Sequence, residues 1–144
     1  MKIAIVYDSK TGTTKAAADQ MAAKVRDAGH ECTVAHVEQA DPSEAAAADA
    51  RCVGRWSKGV YVVFQGPTRA TVDFIRRLGP LDGKPAAVFA TYAIAIGRTL
   101  DKMAAAMAAQ GADVTGRFGS KGPNAAAEFE GWLATLTEST MGAT

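Results

Sequence analysis

Several features that mark other protein classes are scarce in this 144-residue chain. It has two cysteines, Cys32 and Cys52, and neither belongs to a Cys-x-x-Cys pair or to a cluster with metal-ligand spacing. The formal net charge is +1, which gives no electrostatic reason to expect a nucleic-acid partner. These absences argue against a disulfide scaffold, a metal site and a nucleic-acid-binding protein. The cysteine pattern favours a reducing compartment in which both thiols are buried or have no chemical role.

Long hydrophobic runs and the common nucleotide-binding motifs are also missing. No apolar run approaches the roughly 20 residues of a membrane-spanning helix, and the chain begins directly with a predicted strand rather than a signal peptide. We therefore expect a cytoplasmic protein with no membrane span. Neither Gly-x-x-x-x-Gly-Lys-Ser/Thr nor Gly-x-Gly-x-x-Gly occurs. Their absence argues against an ATPase or GTPase and against the common dinucleotide-binding fingerprint.

The predicted fold is organised around the turn at residues 9–14, Ser-Lys-Thr-Gly-Thr-Thr. It follows a short apolar run at residues 3–7, typical of a buried parallel strand, and precedes an Ala-rich segment with helical spacing. Such a turn places free backbone N–H groups at the positive end of a helix dipole, where anions bind. Its hydroxyls and the small Gly12 could surround a phosphate without a metal. The alternative is an ordinary turn with threonine caps.

Strands and helices are predicted to alternate along the whole chain. The five strands fall at residues 3–7, 32–37, 60–64, 86–90 and 112–118. The run at 60–64 is the clearest core strand, and a short helix at about residues 43–50 precedes it. The last helix carries Phe129, Trp132, Leu133 and Leu136 at helical spacing. This alternation predicts one α/β domain over residues 1–144, a doubly wound parallel sheet with helices on both faces.

Three loops follow strands at the carboxyl edge of this predicted sheet, where ligands of doubly wound sheets bind. They are residues 9–14, 65–71 and 91–97. The first suits a phosphate, and the other two suit the two sides of a flat ring. The two histidines, His30 and His36, are predicted to lie far from these loops, in structural or exposed positions. No catalytic residue and no metal ligand is predicted.

The segment from Ile5 to Ala18 resembles the N-terminal signature of flavodoxins, with matches that include Ser9, Gly12 and Thr14. Gly66-Pro67-Thr68 is similar to the Gly-Ser-Pro-Thr loop after the family's third strand. Residues 88–92 are similar to the strand and loop that place an aromatic ring beside the flavin. The resemblance covers nearly the whole chain. It implies the flavodoxin-like strand order 2-1-3-4-5 and non-covalently bound FMN.

The resemblance also implies roles for individual residues. The turn at residues 9–14 would bind the FMN phosphate. Pro67, Thr68 and Arg69 would line one side of the isoalloxazine ring, and Tyr92 would stack on the other. The complete set of expected cofactor-binding residues is Ser9, Lys10, Thr11, Gly12, Thr13, Thr14, Gly66, Pro67, Thr68, Arg69, Thr91, Tyr92 and Gly97.

The loops expected at the ring depart from the usual family pattern. Arg69 stands where an aromatic residue is usual, and residues 93–96 are Ala-Ile-Ala-Ile where glycines are frequent. The leading hypothesis is an electron-transfer flavoprotein, a monomer or weak dimer, that serves a reductase and an acceptor protein. One alternative is a flavin-dependent NAD(P)H or quinone reductase. The other is a flavodoxin-fold module that binds flavin weakly or not at all.

Overall fold

The computed structural model describes residues 1–8, 12–57, 69–92, 99–121 and 126–142. Strands and helices alternate through these residues. The strands are β1 (Lys2–Asp8), β2 (Glu31–His36), β3 (Ala50–Ser57), β4 (Pro85–Tyr92) and β5 (Asp113–Lys121). The helices are α1 (Thr13–Asp27), α2 (Pro42–Ala47), α3 (Arg69–Arg77), α4 (Thr99–Ala109) and α5 (Ala126–Gly142). Within the described ranges, no helix combines the length and the hydropathy that a bilayer crossing requires.

All five strands are parallel and lie in one sheet in the order β2-β1-β3-β4-β5, which confirms the predicted doubly wound topology. Successive residues of a strand point to opposite faces of the sheet. Ile3 and Ile5 of β1 accordingly pack with α1 and α5, whereas Ala4 and Val6 pack with α2, α3 and α4. Each face of the sheet therefore has its own buried core.

The third strand lies earlier in the chain than the sequence pattern predicts. The predicted third strand at residues 60–64 is wrong, because Ala50–Ser57 forms β3 between β1 and β4. Residues 60–64 themselves lie outside the described residues. The helix predicted at about residues 43–50 ends earlier, at Ala47, because β3 already begins at Ala50. Hydropathy missed β3 because this strand contains Arg51 and Arg55, whereas the run at 60–64 is apolar or aromatic throughout.

Arg51 fits inside the fold because backbone carbonyl groups accept hydrogen bonds from its guanidinium group. Nε donates to the carbonyl oxygen of Ala45 at 3.2 Å, and Nη2 donates to that of Ala48 at 2.5 Å. Nη1 donates to the carbonyl oxygen of Pro85 at 3.1 Å. Burial lowers the pKa of Arg51, but an arginine remains charged at neutral pH. This cation therefore ties the end of α2 and the start of β4 to the start of β3.

The apolar face of α5 confirms the prediction made from its spacing. Its four core residues are all buried: Phe129, Trp132, Leu133 and Leu136. Phe118 of β5 meets Phe129 and Trp132 with ring centroids 6.2 and 6.1 Å apart. The indole Nε1 of Trp132 donates to Oγ1 of Thr115 at 2.7 Å, so the one polar atom of this aromatic cluster has a partner.

Candidate functional site

The carboxyl ends of the central strands meet at one edge of the sheet. Asp8 lies beside Arg55 across β1 and β3, and Trp56 lies beside Thr91 across β3 and β4. From β1 the chain passes to β2 on one side, and it then crosses back to β3 on the other side. The strand order therefore reverses between β1 and β3, and ligands of doubly wound sheets bind at such a reversal.

Helix α1 begins at this edge, shortly after β1. Its N-cap residue is Gly12, with a left-handed φ of 89° that favours glycine. A Cβ atom added at Gly12 would meet none of the described residues within 4 Å beyond its own chain neighbours. The first turn of α1 has no acidic side chain, and the first amides of a helix have no partner within the helix. These features fit the phosphate group of a nucleotide.

Two buried threonines connect the start of α1 to the end of β4. The Oγ1 atoms of Thr14 and Thr91 lie 2.6 Å apart, within hydrogen-bonding distance, although 77 positions separate the residues in the chain. Both residues have a relative exposure of 0%. The prediction that the loop at residues 91–97 starts at residue 91 is wrong, because β4 continues through Thr91 to Tyr92.

Asp8, the last residue of β1, contacts side chains of two neighbouring elements. Oγ1 of Thr71 in α3 donates to Oδ2 of Asp8 at 3.2 Å, and Nε2 of His36 in β2 lies 3.8 Å from Oδ1. Arg55 is the neighbour of Asp8 on β3. Burial lowers the pKa of Arg55, and the negative charge of Asp8 opposes that shift. Asp8 therefore provides a negative charge around which β2, β3 and α3 come together at the site.

His36 also lies at this edge, so the prediction that both histidines are far from the site is wrong for His36. The amide of Glu38 donates to Nδ1 of His36 at 3.2 Å. In a neutral ring the proton is therefore on Nε2, the nitrogen that faces Asp8. A sequence signal was available, because His36 lies near the end of the strand predicted at residues 32–37, and neighbouring parallel strands end at the same edge. His30 lies at the other edge, where its Nδ1 is 3.1 Å from the N-terminal amine.

The described residues include part of the expected cofactor site. Those that lie at the carboxyl edge are Gly12, Thr13 and Thr14 at the start of α1, Arg69 at the start of α3, and Thr91 and Tyr92 at the end of β4. The remaining expected residues lie outside the described ranges: Ser9, Lys10, Thr11, Gly66, Pro67, Thr68 and Gly97. Three separate elements thus bring six of the expected residues to one edge of the sheet.

We expect Asp8→Asn to lower the free energy of unfolding of the ligand-free protein by about 1–2 kcal/mol, because the bond from Thr71 would then go to a neutral acceptor. Arg55 would also lose its neighbouring negative charge. Urea denaturation measures the change. The matched control is Asp19→Asn on α1, which removes a solvent-exposed ion pair with Lys15 and should leave stability unchanged. Equal unfolding midpoints for the two variants would contradict this prediction.

Comparison with known proteins identifies the family. The family model described as Flavodoxin matches residues 5–132. The chain belongs to the flavodoxin family. The two-electron reduced flavodoxin of Megasphaera elsdenii is 26% identical, with a TM-score of 0.76 over 89% of this chain and 96% of that one. A flavodoxin from the domain Archaea is 25% identical, with a TM-score of 0.68 over 83% of each chain.

The same fold also occurs as part of a longer protein. Rubredoxin oxygen:oxidoreductase from Desulfovibrio gigas is 21% identical, with a TM-score of 0.74 over 95% of this chain and 34% of that one. At this identity the likeness concerns the fold alone. No curated protein matches the sequence of this chain. Flavodoxins bind FMN and transfer electrons, so the cofactor of this family member is FMN. The start of α1 fits the phosphate of that cofactor.

Proposed function

We propose that this flavodoxin is a single-domain electron carrier that binds FMN at the carboxyl edge of its sheet and moves electrons between a reductase and an acceptor protein. The observation that supports this most directly is the start of α1. There Gly12 has a left-handed conformation, no described side chain lies within 4 Å of the position its Cβ would take, and the first turn has no acidic side chain. This helix start stands where the strand order reverses, next to the ends of β3 and β4.

We propose that the phosphate binds to the turn at residues 9–14 and that the ring lies between the segments that follow β3 and β4. Pro67, Thr68 and Arg69 would line one side of the ring, and Tyr92 would stack on the other. The last residue of β4 and the first residue of α3 lie at the same edge, which supports this arrangement. Gly66 and Gly97 would let the backbone approach the ring closely.

In this proposal the bound FMN supplies the redox chemistry, and the protein contributes binding, orientation and charge. Amides at the start of α1 attract the phosphate through the helix dipole. Arg55, held beside Asp8, adds a partly buried positive charge at the edge where the cofactor binds. Asp8 offsets much of this charge, so in this proposal the attraction for an anionic ligand comes mainly from the start of α1.

We further propose that the carrier is cytoplasmic and works as a monomer or weak dimer. Its cysteines are both free thiols, Cys52 fully buried and Cys32 partly buried. Burial raises the pKa of each, so neither is readily deprotonated to a reactive thiolate. Free, unreactive thiols suit a reducing compartment.

Titration of FMN into the FMN-free protein tests the proposal. We expect a yellow complex with quenched flavin fluorescence. We also expect the free energy of unfolding to rise by about 2.7 kcal/mol when free FMN is at 100 times its dissociation constant. Riboflavin is the matched ligand, because it has the same ring without the phosphate, and it should bind more weakly. A sample that remains colourless and gains no stability from FMN would contradict the proposal.

The same FMN-loaded sample separates a carrier from a reductase. With NADH or NADPH and a small quinone, but no reductase protein, we expect no oxidation of the nicotinamide above the rate of free FMN. Sustained turnover under these conditions would contradict the carrier proposal and favour a reductase.

A further inference from the structure

Thr14 belongs to the turn proposed to bind the phosphate, but its side-chain hydroxyl meets the hydroxyl of Thr91 in β4, a contact that the proposed function does not explain. We propose that Thr14 and Thr91 are positioning residues, which form a buried brace that holds the start of α1 against the end of β4. The affinity for the FMN phosphate then depends on Thr91, although Thr91 does not touch the phosphate. This inference rests on the proposed function, because it assumes that the phosphate binds at the start of α1.

The geometry shows that the hydroxyls of Thr14 and Thr91 are hydrogen-bond partners of each other. Their Oγ1 atoms are 2.6 Å apart, close to the preferred distance between two hydroxyl oxygens. A buried hydroxyl without a partner is costly, so the pair has one favoured arrangement. Neither residue has exposed surface, and the neighbours Ala17, Ala18 and Ala90 are buried as well. Thr14 therefore turns its side chain toward β4 rather than toward solvent.

The brace acts at the point where the phosphate is proposed to bind. Thr14 follows Gly12 by two residues, so the contact with Thr91 restrains the turn that Gly12 opens. A threonine side chain has few rotamers, and a hydrogen bond selects one of them. The amides of the first turn are then held in one orientation before the anion arrives. An oriented site binds more tightly because less conformational entropy is lost on binding.

A double-mutant cycle on FMN affinity tests this inference. We expect Thr14→Val and Thr91→Val each to weaken FMN binding by about fivefold, the effect of one hydrogen bond. The double variant should lose no more than either single variant, because all three lack the same contact. Riboflavin affinity should be unchanged, and Thr91→Ser should restore FMN binding. Thr91→Cys, with a weak donor of similar size, replaces Thr91→Val if that variant does not fold.

The matched control is Thr115→Val, which removes the acceptor of the hydrogen bond from Trp132 in α5. It should lower stability without changing the FMN affinity. Three outcomes would overturn the brace: unchanged FMN affinity in Thr91→Val, additive losses in the double variant, or equal losses for FMN and riboflavin. If riboflavin binds too weakly for its affinity to be measured, the double-mutant cycle on FMN affinity tests the inference by itself. Failure of the wild-type protein to bind FMN would instead overturn the proposed function.

Discussion

Replacement of Arg51 by methionine is expected to lower the free energy of unfolding by about 3 kcal/mol. Methionine retains an apolar side chain but removes every donor. The carbonyl groups of Ala45, Ala48 and Pro85 would each lose a hydrogen bond from a cation, and Arg51 itself is fully buried. Buried acceptors without a partner carry their full desolvation cost. Loss of the desolvated guanidinium offsets part of this cost, but the three acceptors remain.

Urea denaturation of the two FMN-free proteins measures this effect from the midpoint and the slope of each transition. The matched control is Arg117→Met, which removes a hydrogen-bonded ion pair with Asp101 at 3.0 Å. Both side chains of that pair are more than half exposed, so a loss of less than about 0.5 kcal/mol is expected. If Arg51→Met unfolds at the same urea concentration as the wild-type protein, the buried arginine contributes nothing net to stability.

Gly54→Ala is the second substitution with a large expected effect. We expect it to lower the free energy of unfolding by about 3 kcal/mol. Phe89 of β4 lies directly beside Gly54 of β3, and its ring covers the glycine backbone. A Cβ atom at Gly54 would come within 2.1 Å of two carbon atoms of that ring. Phe89 is fully buried, so the ring has no solvent-exposed position to which it can move. The addition of one methyl group would therefore force β3 and β4 apart.

The clash itself provides the test. Phe89→Leu removes the ring atoms that the new methyl group would meet, so Gly54→Ala should cost less in that background than in the wild-type protein. Gly131→Ala on the exposed face of α5 is the matched control. A Cβ atom there meets no atom of the part of the chain that the structure describes within 4 Å, and alanine should stabilise the helix by about 0.5–1 kcal/mol. Additive effects of Gly54→Ala and Phe89→Leu would show that the ring is not the cause.

Both large effects concern the strands that position the candidate site. Arg51 holds the amino end of β3, and Gly54 sets the approach of β4 to β3 in mid-strand. The carboxyl ends of the same strands carry Arg55 and Thr91 at the site. A small change in the spacing of β3 and β4 would therefore displace Thr91 relative to Thr14. We expect FMN affinity to respond to these variants more than to the controls.

Local sequence patterns predicted the alternation of elements, the turn before α1 and the buried face of α5. These features follow from the order of residues within about 15 positions, because side-chain direction repeats every two residues in a strand and every 3.6 residues in a helix. The strand order was implied by the resemblance to flavodoxins, and the structure confirms it. The expectation that the turn before α1 lies at the carboxyl edge of the sheet follows from the same pattern.

The tertiary structure alone decided which segment forms the third strand, because Arg51 finds carbonyl partners on two other elements. It also decided that His36 lies beside Asp8 and that Thr14 meets Thr91. These contacts join residues that are 28 and 77 positions apart, since Asp8 and His36 close neighbouring strands and Thr14 and Thr91 belong to different elements. Propensity and hydropathy describe a residue and its near neighbours. Whether a buried cation or hydroxyl is satisfied depends on groups that only the folded chain brings within hydrogen-bonding distance.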